Sequence, residues 1–201
     1  MWALIVIGGL AVFMFAAGGS GNNADPESGS TDASGQMVYV DPPVSSGPST
    51  RGDLSAPNLR AFLALIRASE GTAQYTDPWG TYYGGAQFSD KWGHPCEVRA
   101  DGTRLMQPVV LGNNFTTAAG AYQITLGTWN RYGGTAHYGD FSNEAQDQCA
   151  ADIIVNCGGL DAIAAGDATT AQQKLAGQWA SFTPSRLASN NQVFAANGGV
   201  A

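Results

Sequence analysis

The apolar positions between residues 59 and 70 recur with the period of an amphipathic helix. The i, i+3, i+4, i+7 spacing of one buried helical face is met by Leu59, Phe62, Leu63 and Ile66. Glu70 continues that face four residues after Ile66, and Gly71 follows it as a stop signal. Start signals precede the stripe at Ser55, Pro57 and Asn58. The pattern therefore predicts a helix whose last turn points an acid inward.

Glu70 combines two features that raise the pKa of a carboxylic acid. Burial disfavours the charged form, and the partial negative charge at a helix C-terminus opposes ionisation. An acid that stays protonated near neutral pH can donate a proton to a leaving oxygen, as in glycoside cleavage. The sequence thus indicates Glu70 as a candidate general acid. The alternative interpretation is a solvated helix end, or a partner for a nearby arginine.

The rest of the chain divides into an irregular part and a helical part. Residues 75–117 lack a helical period and are rich in glycine and turn pairs, which predicts loops around a small irregular β region. Helical patterns return over residues 118–132, 144–157, 160–165 and 168–179, with a marginal helix near the C-terminus. Asn143 is the expected N-cap of the second of these, with Gln146 completing a capping box. The prediction is an α+β fold, mainly helical, with a small irregular β subdomain.

Aromatic side chains are concentrated in the irregular part. They suit a carbohydrate groove, because sugar rings present apolar faces that stack on aromatic rings. The alternative is that about half of them form the local core of the loop region. The residues concerned are Tyr75, Trp79, Tyr82, Tyr83, Phe88 and Trp92.

The first 56 residues differ in composition from a folded domain. Residues 2–17 form an apolar run without a charge, which suits a transmembrane anchor or a signal segment. No Lys or Arg precedes the run, which favours a retained anchor over a cleaved signal. Residues 18–56 are rich in Gly, Ser and Pro and are typical of a flexible linker. Residues 57–201 are then the predicted folded domain.

The charge balance and the cysteines exclude two classes of function. Of the 16 acidic and 9 basic residues, the first 56 positions hold five acids and one base, so the predicted domain is only mildly acidic. Nucleic-acid binding is not expected, because it needs a basic face. Neither histidine stands at metal-ligand spacing from Cys96, Cys149 or Cys157, so no metal and no other cofactor is expected. Cys149 and Cys157 would lie ~12 Å apart along one helix, too far for a disulfide, whereas pairing of Cys96 stays open.

Several short segments occur in an order typical of one enzyme family. They are FLALIRASEGT, YYGGAQF, HP, AAGAYQITLGTW, FSNEAQDQCAADIIVNCGGLDAIAAGD and WASF. Together they make residues 56–181 resemble the phage lambda endolysin family, lytic transglycosylases of lysozyme-like fold that cut peptidoglycan. The resemblance implies that Glu70 is the single catalytic acid. It also implies saccharide contacts from Tyr83, Gly84, His94, Gly120, Tyr122 and Gln123.

Two positions qualify what the resemblance implies. His94 is equally well explained by a structural hydrogen bond within the His-Pro loop. Cys96 follows that loop where a different residue is expected, which bears on the shape of the cleft more than on the reaction type.

The reaction implied by the resemblance needs one carboxyl group. Glu70 would protonate the glycosidic oxygen, the N-acetyl group of the substrate would stabilise the oxocarbenium-like centre, and the glutamate would then deprotonate the C6 hydroxyl of the muramic sugar. No water is consumed, and a 1,6-anhydro sugar results. A first alternative is a two-carboxylate muramidase that uses Asp77 or Asp90. A second is a non-catalytic virion or envelope protein that only binds glycan.

The apolar N-terminus bears on location. A retained anchor would hold the catalytic domain at a virion membrane or at the host inner membrane, facing the periplasm and the cell wall. Peptidoglycan glycan strands and the membrane are therefore the expected partners, with other virion proteins possible in the first of these locations.

Overall fold

The computed structural model describes residues 52–112 and 114–200. Apart from the backbone of four short strands, given below, residues 1–51 lie outside the described residues, and the predicted anchor over residues 1–17 and most of the predicted linker fall in this part of the chain. No helix in the described part of the chain is long and apolar enough to cross a membrane.

The strands form three antiparallel pairs. These are β1 (Ile5–Ile7) with β2 (Leu10–Val12), β3 (Ser30–Thr31) with β4 (Met37–Val38), and β5 (Val109–Leu111) with β6 (Asn114–Thr116). The last pair is a hairpin in which Val110 lies opposite Phe115. It is the small β region predicted for residues 75–117.

Helices make up most of the rest of the described chain. They are α1 (Pro57–Ser69), α2 (Leu126–Arg131), α3 (Gly134–Tyr138), α4 (Asn143–Asn156), α5 (Leu160–Ala164), α6 (Ala168–Leu175) and α7 (Leu187–Ala196). Single 3₁₀ turns lie at Thr72–Gln74, Pro78–Gly80, Tyr83–Gly85 and Pro184–Arg186. The prediction of a mainly helical domain with a small two-stranded sheet is confirmed.

Helix α1 is the centre of the core. Pro57 occupies its first turn, where the missing N–H costs nothing, and Gly71 leaves the helix with φ +76°. The predicted apolar stripe is buried, and Leu65 is buried as well. The additional burial arises because α1 contacts α4, α5 and α7 rather than one neighbour.

Aromatic contacts extend this core in two directions. The ring of Phe62 meets Phe182 and Phe194 edge to face, with centroids 5.8 and 6.2 Å away. Trp129 stacks on Tyr138 and meets Phe141 edge to face, both at 4.9 Å.

Trp179, predicted from its period to be a core residue, is buried. In the loop region Tyr82 and Phe88 are buried and Trp92 is exposed, so part of the aromatic set forms a local core.

The helix predicted over residues 118–132 is wrong in its first half. α2 begins only at Leu126, where the Thr125 side chain accepts a hydrogen bond from the N–H of Thr128. Ala119 lies instead in two antiparallel bridges to other extended segments. Gly120 has φ +75°, a conformation that breaks the helical path. The residues before Thr125 therefore form a loop, residues 119–124, that turns at 120–123 and is closed by the bridge between Ala119 and Ile124.

The predicted cap of α4 is also wrong. Ser142, not Asn143, is the N-cap, and its side chain accepts from the N–H of Ala145. Gln146 does not close a capping box, because its side-chain amide is buried and accepts a hydrogen bond from the N–H of Ala121 in the loop at residues 119–124. The helix ends at Asn156 as the two glycines that follow it predict.

No disulfide joins the three cysteines, all of which lie among the described residues. Cys149 is buried on α4, Cys157 is half-buried at its C-terminal end, and Cys96 is buried with its Sγ 3.0 Å from the hydroxyl of Tyr82. Burial raises the pKa of Cys149 well above its ordinary value, so it remains a protonated, apolar filler. Within the described residues, no three His, Cys, Asp or Glu side chains are grouped to hold a metal ion.

Candidate active site

Glu70 lies where α1 ends and the chain turns away. It is the C-cap residue, and its carboxyl group is partly buried. Its Oε1 is 2.5 Å from the hydroxyl oxygen of Ser181. Desolvation raises the pKa of Glu70, whereas the Ser181 hydrogen bond and the positive charge of Arg186 lower it, and the net shift is upward. Burial is thus the dominant cause, as the sequence predicted.

A segment from the C-terminal part of the chain supports this acid. The Ser181 hydroxyl is also 3.0 Å from that of Ser69, and the guanidinium of Arg186 donates to the Ser69 carbonyl at 3.3 Å. Both residues follow the buried Trp179. Sequence reasoning did not identify them as functional, although Ser181 belongs to the WASF motif. Their proximity to Glu70 follows from chain folding alone.

One turn before Glu70, Arg67 organises a second polar group, which we call the Arg67 cluster: Arg67, Trp79, Tyr122 and Asp147. Arg67 donates to the Tyr122 hydroxyl at 2.7 Å, and that hydroxyl donates to Asp147 at 2.5 Å. The indole N–H of Trp79 donates to the same carboxylate oxygen at 2.9 Å. The guanidinium also lies 5.1 Å from the Trp79 ring centroid, within cation–π range. Arg67 stands three residues before Glu70, so its side chain lies one helical turn from the candidate acid.

Three different parts of the chain fix the loop at residues 119–124. Gln146 accepts from the N–H of Ala121 at 2.9 Å and donates to the carbonyls of Trp79 and Phe141. From the end of α1, the Thr72 hydroxyl donates to the Ala121 carbonyl at 2.6 Å. The Trp179 indole donates to the Tyr122 carbonyl at 2.9 Å. The loop that carries the Gly-Ala-Tyr-Gln motif is therefore held beside Glu70.

Gln123 has an unusual backbone for its residue type. Its φ is +49°, whereas side chains other than glycine rarely adopt positive φ. Its side-chain amide donates to the Gly120 carbonyl at 3.1 Å and remains partly exposed. Such strained residues cluster at binding and catalytic sites, where surrounding contacts maintain them. This conformation makes Gln123 a structurally marked candidate for substrate contact.

Tyr83 and Gly84 lie in a 3₁₀ turn joined to the same loop. The N–H of Tyr83 donates to the Ala118 carbonyl at 3.1 Å. The Tyr83 side chain is partly exposed, and Gly84 is exposed. With Gln123, these residues are accessible, and their role in saccharide binding stays a prediction.

His94, Gly120 and Tyr122 are buried, and the saccharide contacts that the resemblance implies for them stay a prediction. His94 is 1% exposed; its Nδ1 accepts from the Cys96 N–H, so its Nε2 donates to the Ile124 carbonyl at 3.0 Å. Desolvation lowers its pKa to about 4, so the ring is neutral. Tyr122 is fully buried and Gly120 is buried as well. These three residues shape the loop from within and offer no exposed side chain to a saccharide.

The two candidate second carboxylates are both paired with bases. Asp77 lies 3.0 Å from the Lys91 ammonium and accepts from the Trp79 N–H. Asp90 lies 2.5 Å from the Arg99 guanidinium. Each of them also caps a local turn, so both have structural roles that explain their positions.

A mainly helical domain with a small hairpin and an acid at the end of its central helix defines a lysozyme-like fold. The sequence model of the Endolysin family matches residues 60–196. The endolysin of Escherichia phage lambda is 32% identical over 128 residues, which cover 61% of this chain and 75% of that protein. The chain therefore belongs to the endolysin family, whose members are lysozyme-like, peptidoglycan-degrading enzymes.

Solved structures agree with this assignment. The lysozyme from bacteriophage lambda superposes with a TM-score of 0.62 at 27% identity, over 72% of this chain and 96% of its own. The same lysozyme in complex with a chitohexasaccharide gives a TM-score of 0.61 at 26% identity, with the same coverage.

Proposed function

We propose that this protein is a lytic transglycosylase that cleaves the β-1,4 bond between N-acetylmuramic acid and N-acetylglucosamine in peptidoglycan. Glu70 acts as the single acid and base, and the product ends in 1,6-anhydro-N-acetylmuramic acid. The observation that carries the proposal is the environment of Glu70, a desolvated acid with a raised pKa whose nearest polar partners are hydroxyls and a base rather than a second carboxylate.

The reaction needs Glu70 in two protonation states. As the acid, it donates its proton to the glycosidic oxygen while the bond to the leaving sugar breaks. As the carboxylate, it removes the proton of the C6 hydroxyl, whose oxygen then closes the ring on the anomeric carbon. The proton given in the first step is regained in the second. A raised pKa favours the first step, and the nearby Arg186 charge and Ser181 hydroxyl stabilise the carboxylate for the second.

The bonding of the candidate second carboxylates among the described residues supports this route over hydrolysis. A hydrolase needs a second carboxylate to activate water or to attack the sugar. Asp77 and Asp90 each accept from a base and cap a turn, so neither presents a free carboxylate to the anomeric centre. Asp147 is bonded to Tyr122 and Trp79 in the Arg67 cluster.

A long sugar chain is the proposed substrate. The related lambda lysozyme has a structure with a bound chitohexasaccharide, which supports an oligosaccharide cleft in this fold. We assign the contacts in this chain to the accessible residues Tyr83, Gly84 and Gln123, with Gly120 shaping the loop that carries Gln123.

Digestion of purified sacculi followed by mass spectrometry tests the proposal. The expected products are anhydro-muropeptides from the parent protein, and a large loss of product from Glu70→Gln. Products one water heavier would show a hydrolase and contradict the single-acid route. Equal release by parent and variant would contradict the role of Glu70, and no release by either would leave only a glycan-binding role.

We further propose that residues 1–17 anchor the protein in a membrane with the domain facing the cell wall, at a virion or a host inner membrane. The support is the apolar composition of that segment. Fractionation of expressing cells should find the full chain in alkali-washed membranes, and a chain that begins at residue 18 in the soluble fraction. Equal distribution of both chains would contradict the anchor.

A further inference from the structure

Two serine hydroxyls and one carboxyl oxygen of the candidate acid form a series of hydrogen-bond contacts. Ser69 Oγ is 3.0 Å from Ser181 Oγ, which is 2.5 Å from Glu70 Oε1. Each serine hydroxyl carries one proton, so each can donate to only one of its neighbours at a time. The direction of donation along this series decides which carboxyl oxygen of Glu70 can carry a proton.

The helix end sets that direction. Ser69 Oγ is also 3.0 Å from the carbonyl of Ile66. That carbonyl already accepts the backbone N–H of Glu70 at 2.9 Å. Ser69 donates its proton to the Ile66 carbonyl, so toward Ser181 its oxygen is an acceptor. Ser181 thus has two acceptors for one proton, and the shorter contact, 2.5 against 3.0 Å, is the one to Glu70 Oε1.

The positive charge of Arg186 favours the same direction of the hydrogen bond, from Ser181 to Glu70. Its guanidinium donates to the Ser69 carbonyl at 3.3 Å, and its positive charge acts on Glu70. A positive charge on this side favours hydroxyl dipoles whose oxygens face it and whose protons point toward the carboxyl group. These contacts are consistent with a Ser181 hydroxyl that donates its proton to Glu70 Oε1.

We propose that Ser181 is a positioning residue that occupies Glu70 Oε1 as a hydrogen-bond donor and so reserves Oε2 for the proton that is transferred. This inference rests on the proposed function of Glu70. Because the donor is present in both steps, the acid does not rotate between giving and regaining its proton. Within the described residues, no other side chain hydrogen-bonds the Glu70 carboxyl group.

The pH dependence distinguishes this role from simple packing. A donated hydrogen bond stabilises the carboxylate, so Ser181 lowers the pKa of Glu70 against the effect of burial. Activity that needs the protonated acid is lost as pH rises through that pKa. Without the donor the pKa is higher, and the alkaline limb of the activity profile moves to higher pH.

The test compares Ser181→Ala, Ser181→Cys and Ser181→Thr in the full chain, with sacculi as substrate. Alanine removes the donor and cysteine weakens it, so both should lower the maximal rate about tenfold to a hundredfold and displace the alkaline limb upward. Threonine keeps the hydroxyl and should restore both quantities. Ser185→Ala is the matched control, because its exposed hydroxyl contacts only Thr183.

Each outcome decides the question. An unmoved alkaline limb in both Ser181→Ala and Ser181→Cys, at unchanged melting temperature, overturns the inference while Glu70→Gln still reports on the proposed function. If Glu70→Gln retains full activity, the proposed function itself fails. A displaced limb that threonine restores supports the positioning role.

Discussion

The buried scaffold around the loop at residues 119–124 and the acid Glu70 differ in how completely their polar groups are hydrogen-bonded. Gln146 and His94 are almost inaccessible to solvent, and their side-chain nitrogen and oxygen atoms are bonded to backbone groups. Glu70 is desolvated by its surroundings but receives a side-chain hydrogen bond only from Ser181 among the described residues. Fully hydrogen-bonded side chains such as Gln146 and His94 hold the backbone in one conformation. A desolvated carboxylate with few hydrogen bonds is unfavourable, and protonation relieves this cost.

This difference has a consequence for stability. The folded protein holds the Glu70 proton more tightly than the unfolded chain does, because its pKa is raised on folding. The contribution of Glu70 to stability is therefore most favourable at low pH and is lost as pH rises from the ordinary pKa of a glutamate to the raised one. Near neutral pH the buried scaffold, which includes Gln146 and His94, must therefore offset the unfavourable contribution of Glu70 to the free energy of unfolding.

The largest expected effect comes from removing the acid. Glu70→Gln should lower the rate of sacculus digestion by about a hundredfold to ten-thousandfold, because general acid–base catalysis contributes on that scale. The amide has no charge to desolvate, so the melting temperature near neutral pH should stay the same or rise. Turbidity assays and thermal unfolding measure both quantities. A variant that loses activity together with its fold would show that Glu70 is structural.

The next effect is on the scaffold. Gly120 has φ +75°, and a Cβ there would lie 2.0 Å from Gln146 Oε1. Gly120→Ala should therefore cost about 3 to 4 kcal/mol of unfolding free energy, from the strain of positive φ together with overpacking. Gly84 has φ +82° with nothing within 4 Å of its Cβ position, so Gly84→Ala should cost only about 1 to 2 kcal/mol.

Denaturant unfolding of these two glycine variants measures the comparison. The difference between them isolates the contact with Gln146 from the shared backbone strain. Equal destabilisation by the two substitutions would show that the Gln146 contact does not hold the loop.

The pH dependence of the scaffold should oppose that of the acid. The pKa of His94 is lowered from 6.5 to about 4 because the neutral ring is buried, so the unfolded chain binds its proton more readily. Stability is retained above the ordinary pKa and decreases by roughly 3 kcal/mol as pH falls from about 6.5 to about 4.

NMR titration of the two imidazole rings measures this directly. The His94 ring should stay neutral down to about pH 4, and unfolding experiments over the same range should follow it. His137→Gln serves as the control, because it leaves His94 as the single imidazole of the chain and so assigns the titrating resonances to it. Protonation of the His94 ring near pH 6.5 in the folded protein would contradict its assignment to the buried scaffold.

The sequence located the acid because its signals are local. The stripe ending at Ile66, the stop at Gly71 and the position of Glu70 all lie within one helix, and period and capping are properties of neighbouring residues. The same reasoning placed the small β region and the buried Trp179 correctly.

Other parts of the site could not be predicted because they depend on distant contacts. Ser181 and Glu70 are 111 residues apart, and no periodic pattern connects them. Gln146 fits a capping box by spacing, but its amide is more strongly satisfied by the Ala121 N–H and two carbonyls. The loop before Thr125 has helix-forming alanines, but the positive φ of Gly120 and Gln123 and its tertiary contacts hold it as a turn rather than a helix.

The smallest expected effect concerns the paired carboxylates at the surface. Asp77→Asn and Asp90→Asn each remove one ion pair whose side chains are 20 to 43% exposed, and such pairs contribute about 0.2 to 1 kcal/mol. Asparagine retains an oxygen that can cap the local turn, so both variants should fold normally. In the single-acid route their activity stays within about twofold of the parent, because neither side chain takes part in proton transfer.

The two asparagine variants also test whether a carboxylate that is paired with a base takes part in the reaction. A two-carboxylate muramidase would lose activity by about a hundredfold or more when its second acid becomes an amide. Digestion rates and product masses for both variants, measured beside Glu70→Gln, therefore assign the chemistry to one acid or to two. A large loss in Asp77→Asn alone would identify Asp77 as that second acid, and its bond to Lys91 would then describe the resting enzyme rather than a structural cap.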